Sequence, residues 1–159
     1  MDAFLRALRN ETMSNMMLGA LRFFTPNDSF FEALEPYKHL RIVDAGTGTG
    51  DLPEEAMARG FSMIGLDLVP RKGQSASVLP MEAESFPYDK DNWLMMCRPD
   101  HSGWVYDTLE IALRRGAGAF YVGLEDNFER DLGEYLDQVA KRWDNVGESG
   151  EHMLLFLPA

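Results

Sequence analysis

Residues 41–68, RIVDAGTGTGDLPEEAMARGFSMIGLDL, constrain the fold of this chain more than any other stretch. An apolar run leads into three glycines at alternate positions: Gly46, Gly48 and Gly50. Asp44 lies just before the first glycine, and Asp67 ends a second apolar run after the last. Glycine lets the backbone turn sharply and approach a ligand without a Cβ in the way. The stretch therefore predicts a strand, a ligand-binding turn, a helix capped by Asp51 with Glu54, and a second strand.

The rest of the chain continues this alternation of apolar strands with helices. Further strands are predicted at residues 75–81, 92–97, 118–124 and 151–157, with helices at 101–116 and 125–143. The pattern predicts a doubly wound α/β fold, with helices on both faces of a mostly parallel sheet. We expect about six strands in the order 3-2-1-4-5, with the last antiparallel beside the fifth and one strand fewer than a full sheet of this kind.

The chain is expected to form a single domain of residues 1–159. Residues 1–39 are predicted to form an N-terminal helical lid segment, and residues 40–159 the α/β core. The aromatic side chains, Trp104 among them, are expected to pack in the core rather than line a pocket.

Cysteine and histidine usage limits the chemistry that the chain can carry. The only cysteine, Cys97, excludes an intramolecular disulfide and favours a cytoplasmic location. The three histidines lack the spacing of metal ligands, so no metal is expected. Neither a signal peptide nor an apolar run of the ~20 residues that a membrane span needs is visible, so no membrane association is expected.

The net charge of −11 argues against a long nucleic acid as partner. Basic residues occur as isolated pairs such as Arg71-Lys72 and Arg114-Arg115, without the stripe that phosphate contacts require. A small molecule or a protein remains the expected substrate, and the oligomeric state stays open.

The glycine spacing indicates the kind of ligand. It is GxGxG rather than GxGxxG, and Asp51 stands where the dinucleotide fingerprint has its third glycine. A ligand with one small carboxylate therefore fits better than a pyrophosphate, although NAD remains the alternative ligand class. Asp67, at the end of the second strand, is placed to accept both hydroxyls of a ribose.

IVDAGTGTGDL and GFSMIGLDL resemble the first two motifs of class I S-adenosylmethionine-dependent methyltransferases, and PMEAESFPY, residues 80–88, resembles the third. The resemblance covers roughly residues 40–125. It implies S-adenosylmethionine as cofactor, with the glycine loop passing under the methionine moiety. By position it also implies that Asp44 orients the loop and the amino group, that Asp67 holds the ribose, and that Glu82 with Ala83 contacts the adenine.

The substrate side of such a site would follow the fourth strand, at MMCRPDHSGW, residues 95–104. The segment distantly resembles the Asn-Pro-Pro-Tyr of amino-group methyltransferases, from which it departs at Arg98, Asp100 and His101. In a catalytic interpretation, Arg98 binds an anionic group, His101 is a general base and Asp100 orients it. In the alternative, Asp100 or Ser102 caps the next helix, His101 is solvated and Arg98 pairs with a surface acid.

Two functions remain open from the sequence. The first is an S-adenosylmethionine-dependent methyltransferase acting on a small molecule or a protein side chain. The alternative is a non-catalytic methyltransferase-like binding module that acts through a protein partner. The three glycines and Asp67 favour the enzyme, whereas the atypical segment 95–104 and the short sheet favour the module.

Overall fold

A computed structural model of the protein describes residues 24–69, 73–100 and 103–159. The helices predicted before residue 24 lie outside these ranges. The helices are α1 Asp28–Leu34, α2 Asp51–Ala58, α3 Trp104–Arg114 and α4 Phe128–Leu132. The strands are β1 Arg41–Ala45, β2 Ser62–Leu66, β3 Val78–Leu79, β4 Asn92–Cys97, β5 Ala119–Gly123, β6 Lys141–Trp143 and β7 His152–Phe156. Short 3-10 helices occupy Glu35–Tyr37, Ala83–Ser85, Glu125–Asn127 and Gly133–Gln138.

The strands form one sheet in the order β3-β2-β1-β4-β5-β7-β6. Strands β1 to β5 are parallel, whereas β7 runs antiparallel to β5 and β6 runs antiparallel to β7. The predicted order 3-2-1-4-5 and the antiparallel last strand beside the fifth are confirmed. Within the described residues the sheet has seven strands against the expected number of about six, so the expectation of a sheet one strand short is wrong.

The additional strand, β6, lies in a segment that the sequence predicts to be helical. Residues 125–143 were predicted as one helix, yet α4 ends at Leu132 because Gly133 adopts φ 51° and ψ −129°. A 3-10 helix follows, and Val139 then turns the chain into the extended conformation that leads into β6. Strand β6 is three residues long and mostly exposed, so it carries no alternation of apolar and polar residues that could have revealed it.

Both faces of the sheet are covered. Along β4, Leu94 and Met96 face the layer of α3 and α4, whereas Met95 faces the layer of α1 and α2. All three side chains are fully buried. A parallel sheet buried on both faces fixes the ends of its strands, so the loops that follow β1, β2, β3 and β4 start from rigid positions. Across the described ranges, no helix combines the length and apolar character needed to cross a membrane.

Candidate functional site

A cleft of about 440 Å³ lies at the carboxyl ends of the parallel strands. Its walls come from residues 81–84 after β3, 66–69 at the end of β2, Gly46 after β1, and 98–100 with Trp104 after β4. Because the strands lie in the order β3-β2-β1-β4, these four segments follow one another along the cleft in that order. Open α/β sheets bind ligands in this position.

The structure brings most of the predicted site residues together. Six of them line the cleft: Gly46, Asp67, Glu82, Ala83, Arg98 and Asp100. Gly48 and Gly50 are not part of the cleft lining, but they shape the glycine loop. Asp44 is buried within β1, just before that loop. His101 and Ser102 lie outside the described residues.

The glycine loop is fastened to the end of β2. Gly46, Gly48 and Gly50 all have positive φ, at 71°, 71° and 87°. The amides of Gly46 and Thr47 both donate to the carbonyl of Leu66, at 2.8 and 3.0 Å. This left-handed backbone strains a residue with a Cβ, which explains why the loop is built from glycine.

Gly50 is the N-cap of α2, and a side chain there would find no room. A Cβ built at this residue would lie 2.6 Å from Cγ2 of Val78 and 3.0 Å from Cβ of Ser75. The predicted capping by Asp51 and Glu54 is wrong: Asp51 is already the first helical residue, and Glu54 instead accepts a hydrogen bond from the Ser75 hydroxyl. The amide of Ser75 fastens the loop to this segment by donating to the carbonyl of Thr49 at 2.9 Å.

Asp67 connects the glycine loop with the end of β2. One carboxylate oxygen accepts from the Gly48 amide at 2.8 Å, and the other accepts from the Val69 amide at 3.0 Å. The side chain is half-buried and lines the cleft. A carboxylate has about four lone-pair sites, so these two bonds are compatible with further hydrogen bonds from a ligand. The backbone thus fixes the orientation of the carboxylate toward the cleft.

The turn after β3 is held in place by Tyr88. Its hydroxyl donates to the carbonyl of Ala83 at 2.7 Å, and its ring packs against Phe86. Burial raises the pKa of Tyr88 far above its ordinary value, so the hydroxyl remains a donor. Met81 also lines the cleft beside Ala83, which gives this end an apolar wall with the Glu82 carboxylate at its rim.

Arg98, directly after β4, forms an ion pair that sequence reasoning missed. Its guanidinium contacts the Glu151 carboxylate at 3.0 Å, and Glu151 is only 1% exposed. Glu151 also accepts from the Ser149 amide at 3.0 Å. Arg98 has φ 46°, an uncommon value for a residue other than glycine, and its amide donates to Val122. The partner of Arg98 is therefore a buried acid rather than the surface acid considered above.

Asp100 contacts an aromatic side chain that had been assigned to the core. The indole nitrogen of Trp104 donates to the Asp100 carboxylate at 2.9 Å. Trp104 is half-buried: it packs against the core as predicted, but it also lines the cleft, so the expectation that it lines no pocket is wrong. The alternative in which Asp100 caps α3 is also wrong, because the N-cap is Gly103 with φ 79° and no side-chain bond, while the other proposed cap, Ser102, lies outside the described residues.

The charges along the cleft are mostly negative. Four carboxylates belong to its lining: Asp67, Glu82, Glu84 and Asp100. Among the described residues, Arg98 is the only basic one in that lining, and its charge is compensated by Glu151. A cleft of this kind attracts a cationic ligand.

We expect the Arg98–Glu151 pair to stabilise the loop after β4. Arg98→Ala leaves a buried carboxylate without its cation, so the free energy of unfolding should fall by about 1–3 kcal/mol. In a double-mutant cycle, Glu151→Ala should lower the free energy of unfolding by less in the Arg98→Ala protein than in the wild type.

Chemical denaturation of the four proteins measures this coupling. Arg114→Ala, which removes an exposed pair with Glu110, is the matched control and should cost under about 0.5 kcal/mol. Equal losses for Arg98→Ala and Arg114→Ala would contradict the assigned role.

No protein-family model and no curated protein matches the sequence. Solved structures match its fold. A TehB-like S-adenosylmethionine-dependent methyltransferase from Corynebacterium glutamicum shares 16% identity over 97% of this chain and 99% of its own, with a TM-score of 0.59. The 1,6-didemethyltoxoflavin-N1-methyltransferase of Burkholderia thailandensis, with bound S-adenosylhomocysteine, shares 10% identity over 98% of this chain and 85% of its own, with a TM-score of 0.57. The 23S rRNA methyltransferase ErmE shares 15% identity over 85% of this chain and 70% of its own, with a TM-score of 0.51. At these identities the likeness shows a shared fold.

Proposed function

We propose that this chain, whose fold is that of the class I S-adenosylmethionine-dependent methyltransferases, is itself such a methyltransferase and acts on a small molecule or a protein side chain. The observation that carries the proposal is the bond from the Gly48 amide to Asp67, which joins the glycine loop and the β2 acid into one wall of an acidic cleft. A chain that kept the fold only as a scaffold would not need this arrangement.

The order of the wall segments supports a proposed position for each part of S-adenosylmethionine. The adenine fits beside Glu82 and Ala83 after β3, and the ribose hydroxyls fit at Asp67 after β2. The methionine moiety then lies along Gly46, with Asp44 in the strand before it. This sequence of contacts follows the strand order β3-β2-β1 and leaves the segment after β4 for the methyl acceptor.

The residues present fit this cofactor chemically. S-adenosylmethionine supplies an activated methyl group on a sulfonium, and it also carries an ammonium group. The carboxylates of the cleft suit these two cations, and the glycine loop leaves room for the chain that connects them. The protein then has to hold an acceptor in line with the methyl group, and such positioning alone can supply much of the acceleration.

The acceptor is proposed to meet the loop at residues 98–103. Arg98 is partly exposed toward the cleft, and its guanidinium has five N–H donors, so contact with an acceptor is compatible with the Glu151 pair. The acidic lining disfavours a long nucleic acid as acceptor, because phosphate contacts require excess positive charge. The same charge argument holds although ErmE, named as an rRNA methyltransferase, shares the fold.

Residues 1–39 are proposed to close the acceptor side with the part of the segment that precedes α1, because α1 itself packs in the core on one face of the sheet. At its described start the chain runs beside the turn between β6 and β7: the Asn27 amide donates to Val146, and the Glu148 amide donates to Thr25. This turn lies at the carboxyl edge of the sheet, because Gly123 pairs with His152. A Cβ at Gly147 would clash with both Phe24 and Glu151, so the chain enters the described region near the Arg98 pair.

The rival function is a non-catalytic binding module. The short sheet expected from the sequence no longer supports this function, because β6 adds the strand that was expected to be absent. The other argument remains: Arg98 and Asp100 both use polar atoms for internal contacts, with Glu151 and Trp104. Binding of S-adenosylmethionine alone does not separate the two functions, whereas methyl transfer does.

The experiment is incubation of the protein with S-adenosylmethionine labelled in the methyl group and a fractionated cell extract. We expect label in a small-molecule or protein fraction with the wild type. His101→Ala should lower the transfer rate and leave cofactor affinity within about threefold, because His101 is proposed to serve the acceptor. Confirmed cofactor binding without label in any fraction would favour the binding module. Full turnover in His101→Ala would remove that residue from the acceptor site.

A further inference from the structure

We infer that the indole of Trp104 recognises the positive charge of the cofactor's sulfonium and thereby lets the protein distinguish S-adenosylmethionine from its neutral product, S-adenosylhomocysteine. This inference rests on the proposed function, because it requires the cofactor in the cleft. It adds a specificity-determining residue that sequence reasoning had placed in the core.

The position of Trp104 carries the inference. A Cβ built on Gly46 would lie 3.3 Å from Cζ2 and 3.6 Å from Cη2 of this indole. Its benzo ring therefore packs beside Gly46, the first glycine of the loop, where the cleft lining passes from the β1 segment to the β4 segment. Trp104 opens α3, yet its ring extends back from the β4 side to the β1 side of the cleft.

By the strand order, the sulfonium of the proposed cofactor lies in the same part of the cleft, beside Gly46. With the ribose at Asp67 after β2 and the acceptor after β4, the sulfur between them must lie near Gly46 after β1. The indole is thus the aromatic group next to the reacting centre. The face of an indole attracts a cation within about 6 Å of the ring and gains nothing comparable from a neutral thioether.

Asp100 orients the ring. Its carboxylate accepts from the indole nitrogen at 2.9 Å, which holds the benzo ring toward Gly46. The Asp100 carboxylate also adds negative charge at this end of the cleft. Asp100 is therefore a positioning residue that acts through Trp104.

The sulfonium and the thioether differ by one methyl group and the charge that it brings, so the ratio of their dissociation constants reports on these two features together, and the fluorination series below separates the charge. Calorimetric titration of wild type and Trp104→Leu with both ligands measures this ratio. We expect Trp104→Leu to weaken S-adenosylmethionine roughly fivefold to thirtyfold more than S-adenosylhomocysteine, which is about 1–2 kcal/mol. Asp100→Asn should shift the ratio in the same direction by a smaller factor.

A second measurement keeps the shape of the ring. Tryptophan analogues with increasing numbers of fluorine atoms on the benzo ring are incorporated into the protein, because fluorine draws electron density from the face that attracts a cation. Affinity for S-adenosylmethionine should fall stepwise with fluorination while affinity for S-adenosylhomocysteine stays constant. The same analogues in Trp104→Phe, which retains Trp93 and Trp143, should leave both affinities unchanged.

The outcomes separate the two proposals. A wild type that binds neither ligand refutes the proposed function and this inference with it. A wild type that binds both ligands, with a ratio insensitive to Trp104→Leu and to fluorination, refutes only the charge recognition. Circular dichroism and thermal unfolding show whether Trp104→Leu is folded; if it is not, the fluorination series decides.

Discussion

Gly50→Ala is expected to lower the free energy of unfolding by about 2–5 kcal/mol and to abolish cofactor binding. Two costs add at this residue. Its φ of 87° is a left-handed value that an alanine adopts only at about 1–2 kcal/mol. The new Cβ would also lie 2.6 Å from Cγ2 of Val78, a stiff β-branched side chain, and forced overpacking costs about 1–3 kcal/mol.

Gly116→Ala is the matched control for this prediction. Gly116 has φ 83°, nearly the same backbone conformation, and a Cβ there would meet no atom within 4 Å. It should therefore show the conformational cost of about 1–2 kcal/mol alone and bind cofactor normally. Urea denaturation of both variants, with calorimetric titration, makes the comparison. Equal stability losses, or intact binding in Gly50→Ala, would show that the packing of the glycine loop on β3 has no role in the site.

Asp67→Ala is expected to weaken S-adenosylmethionine binding by more than tenfold, or at least about 1.4 kcal/mol. The carboxylate is proposed to accept the ribose hydroxyls, and it also holds the amides of Gly48 and Val69. Asp67→Asn should not restore binding, because an amide can accept at only one of its two positions and cannot serve both backbone donors. Calorimetric titration measures each affinity.

Asp91→Ala is a suitable control for the loss of one negative charge. Asp91 is exposed at the start of β4, at the opposite end of that strand from the cleft. The variant should bind S-adenosylmethionine within about twofold of wild type, since screening at this distance leaves little long-range effect. An Asp67→Ala protein with the affinity of Asp91→Ala would remove Asp67 from the cofactor site.

Local sequence patterns predicted the architecture where the signals themselves are local. The apolar run NWLMMC predicts β4 with its observed limits, because a strand buried on both faces is apolar throughout. The three glycines predict the loop, because glycine adopts the left-handed backbone found there without the strain that a Cβ brings. The alternation of strands and helices with right-handed crossovers limits the strand order to a few possibilities, and 3-2-1-4-5 is one that doubly wound sheets adopt.

The features that sequence reasoning missed depend on contacts between distant parts of the chain. Glu151 pairs with Arg98 across 53 positions, and its only sequence signal is an acid directly before a buried strand. Trp104 has the helical spacing of a core residue, and only the fold shows that its ring reaches Gly46. Strand β6 forms because β7 offers an edge for pairing, although its own three residues carry little preference for a strand.

Calorimetric titration of the purified protein with S-adenosylmethionine, S-adenosylhomocysteine and NAD shows which ligand class the cleft holds. We predict saturable binding of the first two at one site per chain, and much weaker binding of NAD. The acidic cleft and the GxGxG loop favour a cationic ligand with one carboxylate over a pyrophosphate. Tighter binding of NAD than of either adenosyl ligand, or binding of none of the three, would contradict this prediction.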